Sequence, residues 1–261
     1  MNNSILRVSL VQTELTWQNA AANRARFTAL LKPLANHTDL IVLPEMFTTG
    51  FMMQPEAYAE AFEGETLTWL IQEARQLNAA IAGSVAMKVA QGFVNRLLFV
   101  TPEGDVDYYD KRHLFRMGNE QQHYQAGTER KLFNYRGWRI LPQVCYDLRF
   151  PVFMRNRNDY DLAIVVANWP AARRLAWRTL LQARAIENQS YVVGVNRVGK
   201  DGNGLEYSGD SLTINFRGEL MIDQSIGEAF METARLDLAT LQTFRKQFPA
   251  WQDSDTFELK L

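Results

Sequence analysis

The 261-residue chain has very little cysteine and histidine: one cysteine, Cys145, and three scattered histidines, His37, His113 and His123. A lone cysteine forms no internal disulfide and no cysteine-rich zinc cluster, and these histidines lack the spacing of a ligand set. Charge of one sign is also lacking. A formal net charge of -1 leaves no electrostatic footprint for nucleic acid or for an anionic membrane, and neither is expected as a partner. No apolar run approaches the ~20 residues of a membrane span. Met1–Gln12 carries one cation, Arg7, inside an alternating apolar run. It lacks the basic start, apolar core and small-residue cleavage site of a secretory leader. With a free thiol suited to a reducing compartment, the expected location is the cytoplasm. Proline-rich linkers, low-complexity tracts and composition shifts are absent too, so residues 1–261 are expected to form a single domain.

What is present is a repeating supply of strands. Runs rich in Val, Ile and aromatics occupy Leu6–Gln12, Asp39–Pro44, Ala80–Val89, Asn95–Thr101, Val106–Tyr109, Trp138–Cys145, Asp161–Ala167, Tyr191–Val198, Leu212–Phe216 and Phe230–Leu236. Gly, Asn, Asp or Pro bound them. Helical spacing lies between. Phe27, Leu30, Leu31 and Leu34 share one face, as do Leu67, Leu70, Ile71 and Ala74, and Trp177, Leu181 and Ala185 mark a helix near Ala172–Gln189. Some strands alternate with helices and others follow tight turns, which predicts an α/β fold with mixed sheets. So many strands in one domain suggest two stacked sheets, an α-β-β-α sandwich.

Three residues stand where apolar strands end. Cys145 closes Arg139-Ile-Leu-Pro-Gln-Val-Cys145. A strand stopping in a sharp turn projects its last side chain from the sheet edge and leaves backbone N–H groups nearby for an oxyanion. Considered alone, a single cysteine is more often a small buried hydrophobe. Glu45 closes Leu40-Ile-Val-Leu-Pro-Glu45, where partial loss of hydration suits a general base; alone, it reads as a solvated loop carboxylate. Lys111 follows Tyr108-Tyr-Asp110; alone, it reads as a surface lysine paired with Asp110. Together they form a coherent set, because strand ends of a layered α/β fold can gather in one crevice. A glutamate can take the thiol proton, a thiolate can attack an amide or nitrile carbon, and a lysine can hold the resulting charge. His113 fits no Cys–His protease signature. Gly199–Gly204 fits neither phosphate-loop spacing nor a dinucleotide fingerprint and is expected to be a turn. Arg184, Glu187 and Asn188, about one helical turn apart, are expected to form a packing network.

The segments Leu43-Pro-Glu45-Met-Phe47, Asp110-Lys111-Arg-His-Leu-Phe115 and Val144-Cys145-Tyr-Asp-Leu-Arg-Phe-Pro151 resemble, in order, the signature segments of the nitrilase, or carbon–nitrogen hydrolase, superfamily. The resemblance continues through Asn119-Glu120, Ala126-Gly127, Val166-Ala-Asn168-Trp169-Pro170 and Ala183–Tyr191. It implies a four-layer α-β-β-α sandwich of the nitrilase type, a thioester intermediate, and no metal or organic cofactor. It also implies a second glutamate near the site, a place that Glu120 occupies, either to orient Lys111 or to position substrate. The substrate expected is a small-molecule amide, and the assembly expected is a homodimer or larger homo-oligomer.

Lys111-Arg-His-Leu-Phe-Arg116-Met117, Asn168-Trp-Pro-Ala171 and Phe248-Pro-Ala-Trp251-Gln-Asp253 are most similar to the bacterial ω-amidases. That resemblance implies hydrolysis of the terminal amide of 2-oxo dicarboxylic acid monoamides. A substrate carboxylate inside a pocket needs a cation, for which Arg116 and Arg173 are the candidates. Arg149 is expected instead in a structural ion pair. Phe47 and Trp169 are expected to wall the pocket, and the N–H of Tyr146 to face the oxyanion. Another amidase, an N-carbamoyl hydrolase or a nitrilase would share this machinery; a thiol redox protein would need a second cysteine, and an inactive interaction protein would have no use for it.

Overall fold

The structure, a computed structural model, describes residues 4–260. Residues 1–3, part of the segment read for a leader, lie outside the described residues, as does residue 261. Strands β1 (Ile5–Gln12), β2 (Leu40–Val42), β3 (Ala80–Val89), β4 (Gly92–Val100) and β5 (Val106–Asp110) build one mixed sheet, joined at its edge by β14 (Phe230–Asp237) in the order β14-β1-β2-β3-β4-β5. A second sheet takes β6 (Phe133–Tyr135), β7 (Trp138–Val144), β8 (Leu162–Val166), β9 (Tyr191–Val195), β12 (Leu212–Ile214) and β13 (Leu220–Asp223), in the order β13-β12-β9-β8-β7-β6. Between them in sequence, β10 (Val198–Lys200) and β11 (Glu206–Ser208) pair as a separate hairpin. The helices are α1 (Ala20–Leu31), α2 (Pro55–Tyr58), α3 (Glu65–Leu77), α4 (Pro151–Met154), α5 (Arg174–Asn188) and α6 (Leu238–Gln247).

The period of two in each strand sorts side chains into layers. Leu6, Val8 and Leu10 of β1 face Ile140 and Val144 of β7 and Leu162, Ile164 and Val166 of β8 in one cluster between the sheets. The alternate residues turn outward. Ile41, Ile81 and Leu98 meet Phe27 and Leu31 of α1 and Leu70 and Ala74 of α3; Leu141, Ala163 and Val165 meet Trp177, Leu181 and Ala185 of α5. The result is the α-β-β-α sandwich expected from the strand count. One glycine sets a layer spacing: a Cβ on Gly194 of β9 would lie 2.4 Å from Leu181 Cδ1, so only hydrogen there lets α5 approach the sheet.

Several elements differ from the sequence expectation. The run Tyr191–Val198 breaks after Val195 because the Asn196 N–H donates to Ser211 Oγ and the Arg197 N–H to Asn196 Oδ1 instead of to a neighbouring strand. Helix α6 buries only Leu241 and Arg245, too few for a periodic signal, although its Asp237 cap, accepting from Ala239 N and Thr240 N, is a recognisable start. Gly199–Gly204 belongs to the β10–β11 hairpin and its turn. The expected network does form on α5: Arg184 pairs with Glu187 at 2.9 Å, and Asn188 donates to the Arg184 carbonyl. Among the described residues no helix is long and apolar enough to cross a membrane.

Candidate active site

Parallel strands place the candidate residues at one end of the sandwich. Glu45 lies three residues past β2, Lys111 directly follows β5, and Cys145 directly follows β7. The chain turns sharply at two of these ends. Met46, after Glu45, has φ +41°, and Cys145 itself has φ +47°. A left-handed non-glycine residue costs ~1–3 kcal/mol and persists where its surroundings enforce it. The turn swings the Cys145 side chain to the mouth of the sheets.

Lys111 is the hub. Its Nζ lies 3.1 Å from Glu45 Oε1 and 2.9 Å from each carboxylate oxygen of Glu120. All three side chains are fully shielded from solvent. Glu120 also accepts from Phe115 N at 2.6 Å, and Glu45 from Asn95 Nδ2 and Asn168 N, each at 2.8 Å. The backbone N–H of Lys111 donates to the Asn95 carbonyl at 2.9 Å. Asn95 thus holds both the lysine's backbone and the glutamate's side chain. Lys111 is not the surface lysine paired with Asp110 that its position alone would suggest; Asp110 takes a two-pronged bond from Arg96 at 2.7 and 2.8 Å. Burying an ion cluster generally costs stability, and such clusters recur where chemistry uses them.

Electrostatics follow from burial and from this cluster. Burial alone would lower the Lys111 ammonium, but the charges of Glu120 and then Glu45 outweigh it and hold the ammonium above its usual range. Burial raises the Glu120 carboxyl against the pull of Lys111. Burial also pushes the Cys145 thiol well above the usual range, and the Glu45 carboxylate pushes it further while Lys111 opposes. Burial and the Glu45 charge thus both favour the neutral thiol over the thiolate. Titrating the 240-nm thiolate absorbance of the native protein against Cys145→Ser should place ionisation above the ~8.5 of free cysteine; a transition below that value would mean a resting thiolate.

Cys145 opens into a cavity of about 170 Å³, below the ~300–1,000 Å³ of pockets for drug-sized ligands. Phe51, Met53, Phe115, Trp169 and Leu205 are among its apolar lining, and Lys111, Tyr146, Arg149, Arg173 and Asp201 among its polar lining. Three sequence expectations need correction. Phe47 is not a wall: it is fully buried among Phe27 and Trp69 in the helix-facing layer. Arg116 is exposed and outside the cavity lining. Arg149 forms no ion pair among the described residues; its guanidinium lies over the Trp169 ring at 4.8 Å, while Arg173 lies over Phe115 at 5.3 Å. Sequence reasoning missed Asn95, and it treated Asn168 only as part of a matching segment. Buried asparagines are uncommon, but nothing in the local pattern says what they bond.

The model of the carbon–nitrogen hydrolase family matches residues 7–246. Omega-amidase YafV of Escherichia coli (strain K12) is 53% identical over 254 residues, covering 97% of this chain and 98% of that protein. A 2-oxoglutaramate amidase of Bacillus subtilis (strain 168) is 29% identical over 94% of this chain and 96% of its own. The crystal structure of XC1258 from Xanthomonas campestris, a CN-hydrolase superfamily protein with an arsenic adduct in the active site, superposes with a TM-score of 0.96 at 50% identity, covering 98% of this chain and 99% of that one. The chain belongs to the carbon–nitrogen hydrolase family.

Proposed function

We propose that the protein is an ω-amidase. It releases ammonia from the terminal amide of small 2-oxo dicarboxylic acid monoamides such as 2-oxoglutaramate and 2-oxosuccinamate. The names and identities of the relatives support this reading. The observation that carries it on this chain is a cavity with Cys145 in its lining and two arginines, Arg149 and Arg173, that no carboxylate neutralises among the described residues. The one carboxylate of the lining, Asp201, is buried and already occupied: it accepts from Asn203 N, Leu205 N and the Tyr207 hydroxyl at 2.8, 3.0 and 2.9 Å. The aromatic and aliphatic walls take the short carbon chain.

In the proposed cycle Glu45 takes the proton of Cys145 as sulfur bonds to the amide carbon. The carbonyl π electrons move to oxygen, and Lys111 with the N–H of Tyr146 holds that oxyanion. As the oxyanion collapses, the C–N bond breaks and Glu45 hands its proton to the departing ammonia. Water then attacks the thioester, Glu45 takes the water's proton, and collapse of the second oxyanion returns the proton to sulfur and frees the acid. Glu120 keeps Lys111 aimed between the two carboxylates. Proposed with this function are a cytoplasmic location, suited to the free thiol, and a homodimer, for which the exposed Leu175 and Ile186 on α5 offer apolar contact.

Ammonia release from 2-oxoglutaramate, compared with a neutral primary amide of similar length, tests the specificity. Hydrogen bonds to a charged group contribute about 1.5–3 kcal/mol, so Arg173→Ala and Arg149→Ala should each lower kcat/KM for the anion by ~10–150-fold. The neutral amide should be little affected. A native enzyme with no preference for the anion would point to a general amidase, and variants that lose both substrates equally would remove the arginines from anion recognition.

A further inference from the structure

Asp147 lies two residues after Cys145, is fully buried, and plays no part in the proposed cycle. Its two oxygens collect four hydrogen bonds from both sides of the site. Oδ2 accepts from Val144 N at 3.0 Å, immediately before the strained Cys145, and from the Tyr109 hydroxyl at 2.8 Å. Oδ1 accepts from His113 N and lies against His113 Nδ1, both at 2.8 Å. An ionised carboxylate only accepts, so Nδ1 carries the ring proton. The Tyr109 hydroxyl in turn accepts from Arg112 N at 3.1 Å. Residues 109, 112 and 113 flank Lys111 on both sides. His113 is further fixed by stacking on Phe150 at 3.7 Å between ring centres.

We infer that Asp147 is a positioning residue that clamps the Cys145 turn to the Lys111 segment, holding thiol and ammonium in the register that amide hydrolysis requires. The clamp joins the two sheets, since β5 belongs to one and β7 to the other. It also offsets the left-handed strain at Cys145 by securing the N–H just before it. The site needs a carboxylate specifically. Each oxygen receives one backbone N–H, which cannot reverse its direction. An asparagine amide therefore sets its NH2 against one of those N–H groups whichever way it is turned, and one buried donor loses its partner. Burial beside Asp147 pushes the Tyr109 phenol well above its usual range, so that hydroxyl stays a donor at all working pH.

The inference rests on the proposed roles of Cys145 and Lys111, and native turnover is measured first: no amide hydrolysis by the native protein would overturn those roles, independently of the clamp. Given native activity, Asp147→Asn should lower kcat by ~10²-fold, the usual consequence of a displacement near 1 Å in an oriented site. KM should hold, because Asp147 does not line the cavity. Measurements are made well below the melting temperature of each variant, where a purely stabilising residue leaves kcat unchanged. His113→Phe keeps the stack on Phe150 and the backbone bond but loses the ring bond, and should lower kcat by less, again with KM held. It decides the matter if Asp147→Asn fails to fold. Near-native kcat in folded Asp147→Asn, or in His113→Phe where that variant decides, would overturn the clamp, as would a loss carried by KM.

Discussion

Cys145→Ser should abolish ammonia release while leaving the fold intact. The serine hydroxyl fills nearly the volume of the thiol, and the side chain is half-buried, so packing changes little. In the same buried site a hydroxyl is far less acidic than a thiol, and Glu45 cannot draw off its proton at a useful rate. The loss should approach the ~10⁶-fold seen when a hydrolase loses its nucleophile. Circular dichroism and the melting transition should stay close to native. A folded Cys145→Ser protein that kept a substantial fraction of native turnover would remove the thiol from the mechanism.

Glu45→Gln should be nearly as damaging, for a different reason. Glu45 is proposed to move protons in both halves of the cycle, and a positioned acid–base group contributes ~10²–10⁴-fold to one step. The glutamine fits the same space, but its one oxygen can accept from Asn168 N or from Asn95 Nδ2, not from both. Its NH2 must then face Asn168 N, or face Asn95 Nδ2 and the Lys111 ammonium 3.1 Å away. The variant should therefore lose at least ~10²-fold in kcat and some stability. Ammonia release in single-turnover and steady-state assays checks this. If acylation ran at the native rate in folded Glu45→Gln, proton transfer from the thiol would belong to another group.

Glu45, Lys111 and Cys145 each end an apolar strand, which allows them to gather in one crevice, but it is the resemblance of their three segments to the carbon–nitrogen hydrolase signatures that singles them out. The layers were legible without it: the alternation in Leu6–Gln12 and Trp138–Val144 separates the inter-sheet core from the helix-facing sides. The cavity walls were not legible. Phe47 stands two residues from Glu45 and looked like its neighbour in space, but Met46 takes a left-handed backbone and the Phe47 amide is tied to the Ser84 carbonyl at 3.1 Å. That turn sends Phe47 back under α1 while Glu45 points to the site. The place of Arg149 in a widely shared segment suggests an ion pair, yet its partner is the face of Trp169, brought close by the end of a different strand. Asn95 lies mid-strand on β4, where a polar residue carries no sign of the carboxylate it meets across the sheet.

The thioester at Cys145 gives the most direct test of the mechanism and the substrate together. Native protein mixed with saturating 2-oxoglutaramate, acid-quenched in the first turnover and examined by intact mass, should gain the mass of the substrate less ammonia. Peptide mapping should place the increment on Cys145, and Cys145→Ser should show none. Ammonia release without any adduct on Cys145, or an adduct on another residue, would contradict covalent catalysis by this thiol.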